Sequence, residues 1–207
     1  MKPYLVDVPV KINIWTRPEL QRKQFEVIKQ ARPRVLFIQS DGGRNDKEWE
    51  LIRANREIYD KEIDWECEVH RLYEDKNFGM YAMSKKVMAY IWDRVDRCIF
   101  TEDDQIPCVS FFKYCAELLD RYKDDERIGA ICGNNVLTEY KDAEPYDYFF
   151  TEIGWSIWGI ATWRRAWGNN VFPLEYANNE YIKRCMKDNM TPFWYQKVMH
   201  YTNGELF

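Results

Sequence analysis

The sequence is poor in the residues and motifs that many catalytic sites require. It has two histidines, His70 and His200, among 207 residues, so a Ser/His/Asp or Cys/His centre has little to draw on. Its six cysteines form no CxxC pair, which argues against a zinc site or a disulfide framework. The phosphate-binding pattern GxxxxGK[ST], the dinucleotide pattern GxGxxG and the hydrolase pattern GxSxG are also absent.

Basic segments and long apolar segments are missing as well. The net charge is −4, and no block of lysine and arginine stands out, so we expect no nucleic-acid partner. No apolar run approaches the length of a membrane span, and the first 15 residues lack the apolar core of a signal peptide. We therefore expect a cytoplasmic protein without a transmembrane segment, at most peripheral to the inner face of a membrane.

What the sequence does contain is an alternation of predicted strands and helices. Five apolar runs predict strands, at 10–15, 34–40, 67–73, 97–101 and 127–133. Helical periodicity between them predicts four helices, at 18–31, 47–62, 80–95 and 110–122. The first helix is expected to bury Leu20, Phe25 and Ile28, and Asp46 is the expected N-cap of the second. Such alternation indicates an α/β fold with a mostly parallel sheet flanked by helices.

Each predicted strand is followed by a polar cluster. Because the carboxyl ends of parallel strands share one edge of a sheet, all five clusters should lie at that edge, where α/β proteins bind ligands. The clusters are Thr16–Arg17, Asp41–Gly43, Glu74–Asn77, Glu102–Asp104 and Gly133–Asn135. No single cluster is specific, but their convergence predicts a binding site.

The acids Glu102, Asp103 and Asp104 are the most informative cluster. Adjacent carboxylates repel one another, so they form either an acidic turn solvated by water or a cation site. Their place at the end of a buried strand favours the cation, because Mg²⁺ is often held by one or two carboxylates together with substrate phosphates. A metal on a diphosphate would stabilise a departing group as a Lewis acid.

Two further clusters offer polar contacts to a ligand. Asp41 could accept a hydrogen bond from a nucleobase or ribose, or belong to an ordinary Asp-Gly turn; both readings stay open. Arg17 could bind phosphate oxygens with two parallel hydrogen bonds, and Thr16 could cap the first helix. Lys76 and Asn77 lie at the same predicted edge.

The sequence resembles nucleotide-sugar glycosyltransferases of the GT-A fold, a Rossmann-like α/β fold, in six ordered segments between Val10 and Trp167. It is most similar to the bacterial family-2-like group and to N-acetylglucosaminyltransferases that carry an EDD variant of the DxD motif. The segments are INIWTRPE, RVLFIQSDGG, NFG, CIFTEDDQIPCVSFFKYCAELLDRY, IGAICGNN and GWSIWGIATWRRAW. The EDDQIPCVSFF stretch is the most specific part of the match.

The resemblance implies a role for each matched position. Asp104 would ligate Mn²⁺ or Mg²⁺ bridging the diphosphate, and Trp155 and Trp158 would line an aromatic-rich acceptor site. The nucleotide and donor sugar would contact the residues of the predicted edge, which are Thr16, Arg17, Asp41, Lys76, Asn77, Glu102 and Asp103.

The catalytic base is where the sequence departs from the resemblance. In inverting relatives an acid follows the RRAW stretch, but here Trp194 and Tyr195 occupy the corresponding segment. Glu152, Asp188 and Glu180 are the remaining candidates, with Glu152 and Asp188 preferred, so inverting and retaining chemistry both stay open.

These observations lead to one functional hypothesis and two alternatives. The hypothesis is a metal-dependent hexosyl- or N-acetylhexosaminyltransferase that moves a sugar from a nucleoside-diphosphate donor, expected to be a UDP-sugar, to a hydroxyl of a glycan or polysaccharide. The alternatives are an inactive glycan- or nucleotide-binding module and a sugar nucleotidyltransferase, although the latter needs a glycine-rich basic first loop that WTRPEL does not provide.

The domain organisation is predicted from the same patterns. We expect a single domain over 1–207, with a nucleotide-sugar-binding part at 1–136 and an acceptor-side part at 137–207. The last residues, YTNGELF, combine a turn signal with apolar residues that normally lead into a strand. We therefore expect a C-terminally truncated fragment of a longer protein.

Overall fold

The structure, a computed structural model, describes residues 1–135, 147–151, 158–167 and 179–202. The chain divides into two compact units, Met1–Ala166 and Trp167–Phe207, and each is described here by itself. The prediction of a single domain with a functional division after residue 136 stays a prediction.

The first unit is built on a six-stranded sheet with the order β3-β2-β1-β4-β6-β5. β1, β2, β3 and β4 are mutually parallel, with β1 in the middle between β2 and β4. The described strands are β1 (Val10–Asn13), β2 (Val35–Ser40), β3 (Glu68–Tyr73), β4 (Arg97–Thr101), β5 (Ala130–Cys132) and β6 (Ile160–Trp163). The predicted mostly parallel sheet is therefore confirmed.

β6 is the strand that the sequence analysis did not predict. It pairs antiparallel with both β4 and β5, so that Ile160 lies opposite Phe100 on one side and Cys132 on the other. All four residues of β6 are buried, and a strand buried on both faces shows no alternation of apolar and polar residues. Because two antiparallel pairings restore the original direction, β5 runs the same way as β4.

The helices of the first unit follow the predicted pattern closely. The four predicted helices are α1 (Pro18–Ala31), α2 (Asp46–Lys61), α3 (Met80–Trp92) and α4 (Val109–Arg121). The short α5 (Arg164–Trp167) was not predicted, and its last residue is the first of the second unit. The predicted N-cap of α2 was wrong by one residue, because the side chain of Asn45, not Asp46, accepts the hydrogen bond from the N–H of Glu48 at 3.0 Å. Thr16 does not cap α1 either, since Arg17 occupies the cap position without a side-chain hydrogen bond.

Helices cover both faces of the sheet. One face packs against α1, α2 and α4 in a single core cluster that includes Ile12, Leu36, Ile99, Phe25, Tyr59 and Phe112. On the other face, the ring of Phe37 in β2 packs edge to face with that of Tyr90 in α3, with ring centroids 6.3 Å apart. The ring centroids of Phe100 in β4 and Trp92 in α3 are 5.7 Å apart. The sheet is thus the middle layer of three, as βαβ connections require.

The strand order creates a crevice at the carboxyl ends of β1 and β4. From β1 the chain winds outward through β2 to β3, and α3 then returns it to the other side of β1, where β4 begins. The winding direction therefore reverses between β1 and β4. In open α/β sheets, ligands bind outside the carboxyl ends of the strands at this kind of reversal.

Gly42 brings two loops of this edge into direct contact. A Cβ atom at Gly42 would lie 2.5–2.8 Å from the backbone of Lys76, in the loop after β3. The side chain of Asn77 in that loop donates a hydrogen bond to the carbonyl of Gly42 at 2.8 Å. The loops after β2 and β3 therefore pack together at a distance that only glycine permits.

The second unit contains two described helices, α6 (Glu180–Asn189) and α7 (Pro192–Thr202). The side chain of Asn179 caps α6 by accepting hydrogen bonds from the N–H groups of Tyr181 and Ile182. No residue of α6 is buried. Across the described residues of the whole chain, no helix combines the length and apolar character needed to cross a membrane.

We expect Gly42→Ala to lower the free energy of unfolding by about 1–3 kcal/mol, because the added methyl group would force the two loops apart. Urea denaturation would measure the change. Gly129→Ala is the matched control: a Cβ there meets nothing within 4 Å, so its effect should stay within about 0.5 kcal/mol. Equal effects of the two substitutions would contradict the close loop contact.

Candidate functional site

An ion pair joins the carboxyl ends of β1 and β4. Nη1 of Arg17 lies 2.8 Å from Oδ1 of Asp103 and 3.7 Å from Oδ2 of Asp104. The Arg17 side chain is 47% exposed, whereas that of Asp103 is 18% exposed. A guanidinium has five N–H donors, so Arg17 can hold Asp103 and still present donors to a ligand in the crevice.

The electrostatic surroundings of Asp103 differ from those of its neighbours. Burial raises the pKa of Asp103, Arg17 opposes this rise, and the carboxylates of Asp104 and Glu102 add to it. Arg17 therefore favours the ionised form of Asp103 against the effect of burial. The ion pair serves the charge state of the acid as well as its position.

Two side chains of β1 contact the carboxylate of Glu102. Nζ of Lys11 lies 3.9 Å from its Oε1 atom, and Nδ2 of Asn13 donates a hydrogen bond to its Oε2 atom. Lys11 and Asn13 are two positions apart on one strand, so they project from the same face. Each oxygen of the Glu102 carboxylate thus has its own partner.

Asp104 is the acid that faces an open space. Its side chain is 48% exposed, and it lines a cavity of about 400 Å³. The other described residues of the cavity wall are Gln105, Ile106, Pro107, Cys108, Phe111, Gly133, Asn134, Trp158 and Gly159. A volume of this size falls within the range of small-molecule sites.

Two buried glutamines of α1 hold the backbone of the acid turn, residues 102–105. Nε2 of Gln24 donates to the carbonyls of Glu102 and Gln105, both at 2.8 Å. Nε2 of Gln21 lies 3.2 Å from the carbonyl of Asp103 and 3.3 Å from that of Asn13. With three of its carbonyls directed at α1, the acid turn is fixed against the core.

The two glutamines are themselves oriented by a buried tyrosine. The hydroxyl of Tyr59 in α2 lies 3.3 Å from Oε1 of Gln21 and 3.5 Å from Oε1 of Gln24. Burial raises the pKa of Tyr59, so the hydroxyl keeps its proton and can donate it to either glutamine. Gln21 and Gln24 are 0% exposed, and Leu20, the apolar residue predicted to face the core, is only half-buried.

Gln105 ties the acid turn to the segment before β6. Its Oε1 atom accepts hydrogen bonds from the N–H groups of Glu102 and Gly159, both at 3.1 Å. The N–H of Gly133, just after β5, donates to the carbonyl of Gly159 at 2.8 Å. The segments that follow β4 and β5 and precede β6 are therefore joined by hydrogen bonds at one edge of the sheet.

Asp41 has a structural task in the neighbouring loops. Its Oδ1 atom accepts hydrogen bonds from the N–H groups of Gly42 and Phe78, and its Oδ2 atom accepts one from Gly79, all at 2.9 Å. Gly79 is the N-cap residue of α3 and has φ of 79°. Asp41 thus connects the end of β2 to the start of α3, and its predicted nucleotide contact stays a prediction.

The structure brings some of the predicted site residues together and not others. Arg17, Glu102, Asp103 and Asp104 form one cluster, which we call the acid cluster, at the crevice between β1 and β4. Asp41 and Asn77 organise the adjacent loops, Lys76 is exposed there, and Thr16 is half-buried.

Two of the four residues predicted as acceptor contacts or preferred bases belong to the described part of the chain. Trp158 lines the cavity next to Asp104 and is 59% exposed. Trp155 and Glu152 lie outside the described residues. Asp188 is an exposed residue of α6 in the second unit.

Four residues that support the acid cluster were missed by sequence reasoning. Lys11 and Asn13 occupy positions of a central strand, and Gln21 and Gln24 lie on the buried face of α1. The available signal was a polar residue at a position where the periodicity of the element predicts a buried one. Buried polar groups require partners, so such positions mark a nearby hydrogen-bonded structure.

A divalent cation fits this site only with ligands from a substrate. Within the described ranges, no group of three or more His, Cys, Asp or Glu side chains is placed to hold a metal ion. Glu102 and Asp103 lie next to cationic side chains. Asp104, which is 3.7 Å from Nη1 of Arg17, is the acid of the three that lines the cavity. Mg²⁺ commonly binds through one or two carboxylates, with phosphate and water oxygens completing its octahedron, and Asp104 suits that arrangement.

Comparison with known proteins assigns this chain to no family. No family model matches the sequence, and no curated protein matches it. Among solved structures, a mannosyltransferase from Pyrobaculum calidifontis in complex with GDP-Man and Mn²⁺ is similar over 62% of this chain and 37% of its own length, with 15% identity and a TM-score of 0.41. A similarity at this level supports no statement about the chemistry of this chain.

We expect Gln24→Leu to lower the free energy of unfolding by about 1–3 kcal/mol or more, because the carbonyls of Glu102 and Gln105 would lose their buried donor. Urea denaturation measures this change. Gln30→Leu, on the exposed side of the same helix, serves as the control and should be close to neutral. Similar values for both variants would show that the buried amide does not hold the acid turn.

Proposed function

We propose that this chain is a metal-dependent glycosyltransferase that binds a nucleoside-diphosphate sugar at the crevice between β1 and β4. The observation that carries the proposal is that the members of the acid cluster have different neighbours and exposures. Arg17 is paired with Asp103 yet half-exposed, while Asp104 faces the adjoining cavity. A half-exposed cation beside a half-exposed carboxylate suits a ligand that contains both phosphate groups and a bound metal ion.

The diphosphate would bind between Arg17 and Asp104. The exposed N–H groups of Arg17 would donate hydrogen bonds to phosphate oxygens, an interaction for which the planar guanidinium is well suited. Asp104 would hold Mn²⁺ or Mg²⁺ against the same phosphates. When bound, the ion would supply Lewis-acid stabilisation of the negative charge on the departing nucleoside diphosphate.

The sugar and the acceptor would occupy the cavity next to Asp104. Its volume of about 400 Å³ and its partly aromatic wall, with Trp158 and Phe111, suit the apolar face of a sugar ring. Glu102, fixed by Lys11 and Asn13, would offer its carboxylate to hydroxyl groups of the donor. For the proton of the attacking hydroxyl, Glu152 and Asp188 remain the candidate bases.

A UDP-sugar is the donor that the sequence resemblance favours, and a glycan or polysaccharide hydroxyl is the proposed acceptor. The inactive binding module is retained as the alternative of another class, because Trp194 and Tyr195 stand where the resemblance leads us to expect an acidic catalytic base. The two functions differ in whether the bound donor is cleaved.

Isothermal titration calorimetry with UDP and Mn²⁺ tests the binding site, with GDP as the second nucleotide. We expect Asp104→Asn to weaken metal-dependent binding about tenfold or more, or ~1.4 kcal/mol, because an amide is a poorer ligand than a carboxylate for a hard cation. Asp124→Asn, at an exposed acid of the α4–β5 connection, is the control. Unchanged affinity in Asp104→Asn, or binding that ignores Mn²⁺, would reject the site.

Incubation with UDP-sugars and Mn²⁺ separates the enzyme from the binding module. We expect slow release of UDP even without an acceptor, since water can attack the anomeric carbon once the diphosphate is stabilised as a leaving group. The rate is measured with a coupling phosphatase that releases inorganic phosphate from the UDP formed. Tight donor binding with no release, including in the presence of glycan acceptors, would favour the module.

A further inference from the structure

A lysine lies buried in the middle of the sheet, where an apolar residue is the ordinary choice. Lys11 belongs to β1, which has parallel neighbours on both sides, and it pairs in register with Phe37 and Phe100. The residue is 4% exposed. Positions of this kind in parallel sheets are normally filled by Val, Ile or Leu, so the choice of lysine needs a reason.

Stability does not provide that reason. Burial lowers the pKa of Lys11, and the nearby carboxylate of Glu102 opposes this effect. Within the described part of the chain, the ammonium forms no hydrogen bond. Its ion pair is with Glu102, at 3.9 Å, and the carboxylate of Asp103 adds to the attraction. Replacing the charged groups of such a pair by apolar ones is often neutral or stabilising, because desolvation of the charges offsets their attraction.

The two members of the pair are unequally exposed. The side chain of Glu102 is 39% exposed, whereas that of Lys11 is 5% exposed. If Lys11 is removed, water can solvate the carboxylate that remains. If Glu102 is neutralised, the buried ammonium loses its nearest counter-charge, which is the costly case. Lys11 is therefore the member that the fold can lose.

The geometry points to Lys11 as a positioning residue that, together with Asn13, fixes the carboxylate of Glu102 at the crevice between β1 and β4. Lys11 attracts Oε1 and Asn13 donates to Oε2, so the two β1 side chains define both the place and the rotation of the carboxylate. The lysine also offsets one of three adjacent negative charges, which favours an anionic diphosphate beside them. This inference rests on the proposed function, because Glu102 matters only if a ligand contacts it.

The first part of the test needs no ligand. We expect Lys11→Met to leave the melting temperature unchanged or raised, and Glu102→Gln to lower it. The double variant should recover the stability that Glu102→Gln loses, because the buried charge is then gone. A marked loss of stability in Lys11→Met would overturn the inference, since Lys11 would then be a structural residue.

The second part measures binding of a UDP-sugar with Mn²⁺ by calorimetry. Loss of groups that orient a metal or ligand contact typically weakens affinity about 10- to 100-fold, and we expect this for Lys11→Met. In the Glu102→Gln background the same substitution should have little further effect, because residues that act through one group are not additive. Lys61→Met, which removes an exposed lysine paired with Glu57, is the control.

The outcomes separate the inference from the proposed function. A wild-type protein that binds no nucleotide rejects the proposed function, and the stability comparison then still decides the pairing of Lys11 with Glu102. Wild-type binding that Lys11→Met leaves unchanged rejects the inference alone. Fully additive effects of Lys11→Met and Glu102→Gln on binding would show that Lys11 does not act through Glu102.

Discussion

The attachment of the acid turn to α1 is the constraint on which the rest of the site depends. Repulsion between adjacent carboxylates destabilises a compact turn. Gln21 and Gln24 overcome this by donating hydrogen bonds to its backbone carbonyls, and both glutamines are buried next to the hydroxyl of Tyr59. With the backbone held on the inside, the three side chains project into different surroundings and take different tasks.

The three acids differ in the charged groups next to them, and this difference suggests a separate role for each. Glu102 meets Lys11 and Asn13, Asp103 meets Arg17, and Asp104 faces the cavity. Two cations among three acids leave a net negative charge. Asp104 shares Arg17 with Asp103, at the longer distance of 3.7 Å, and it is the acid that lines the cavity. Identical chemistry at neighbouring positions is thus separated into support and ligand binding, because the chain turns at 102–105 and each side chain meets a different set of neighbours.

The fold could largely be predicted from the sequence because its parallel strands are apolar runs and its helices carry clear periodicity. The prediction failed where burial and local pattern disagree. β6 is buried on both faces in an aromatic-rich segment and shows no alternation, and Gln21 and Gln24 are polar on a face that periodicity assigns to the core. The acid cluster was predicted because its residues follow strands in sequence. Its supports were not, because they depend on contacts across about 80 positions of chain.

The insertion of β6 also has a consequence for the order in which the protein assembles. β5 reaches the sheet only through β6, although β5 comes about thirty residues earlier in the chain. The four N-terminal strands contain their own pairing partners, so they can associate before β6 is synthesised. β5 must wait for β6 before it can pair, so the wall of the cavity that carries Gly133 and Gly159 forms after these four strands are complete.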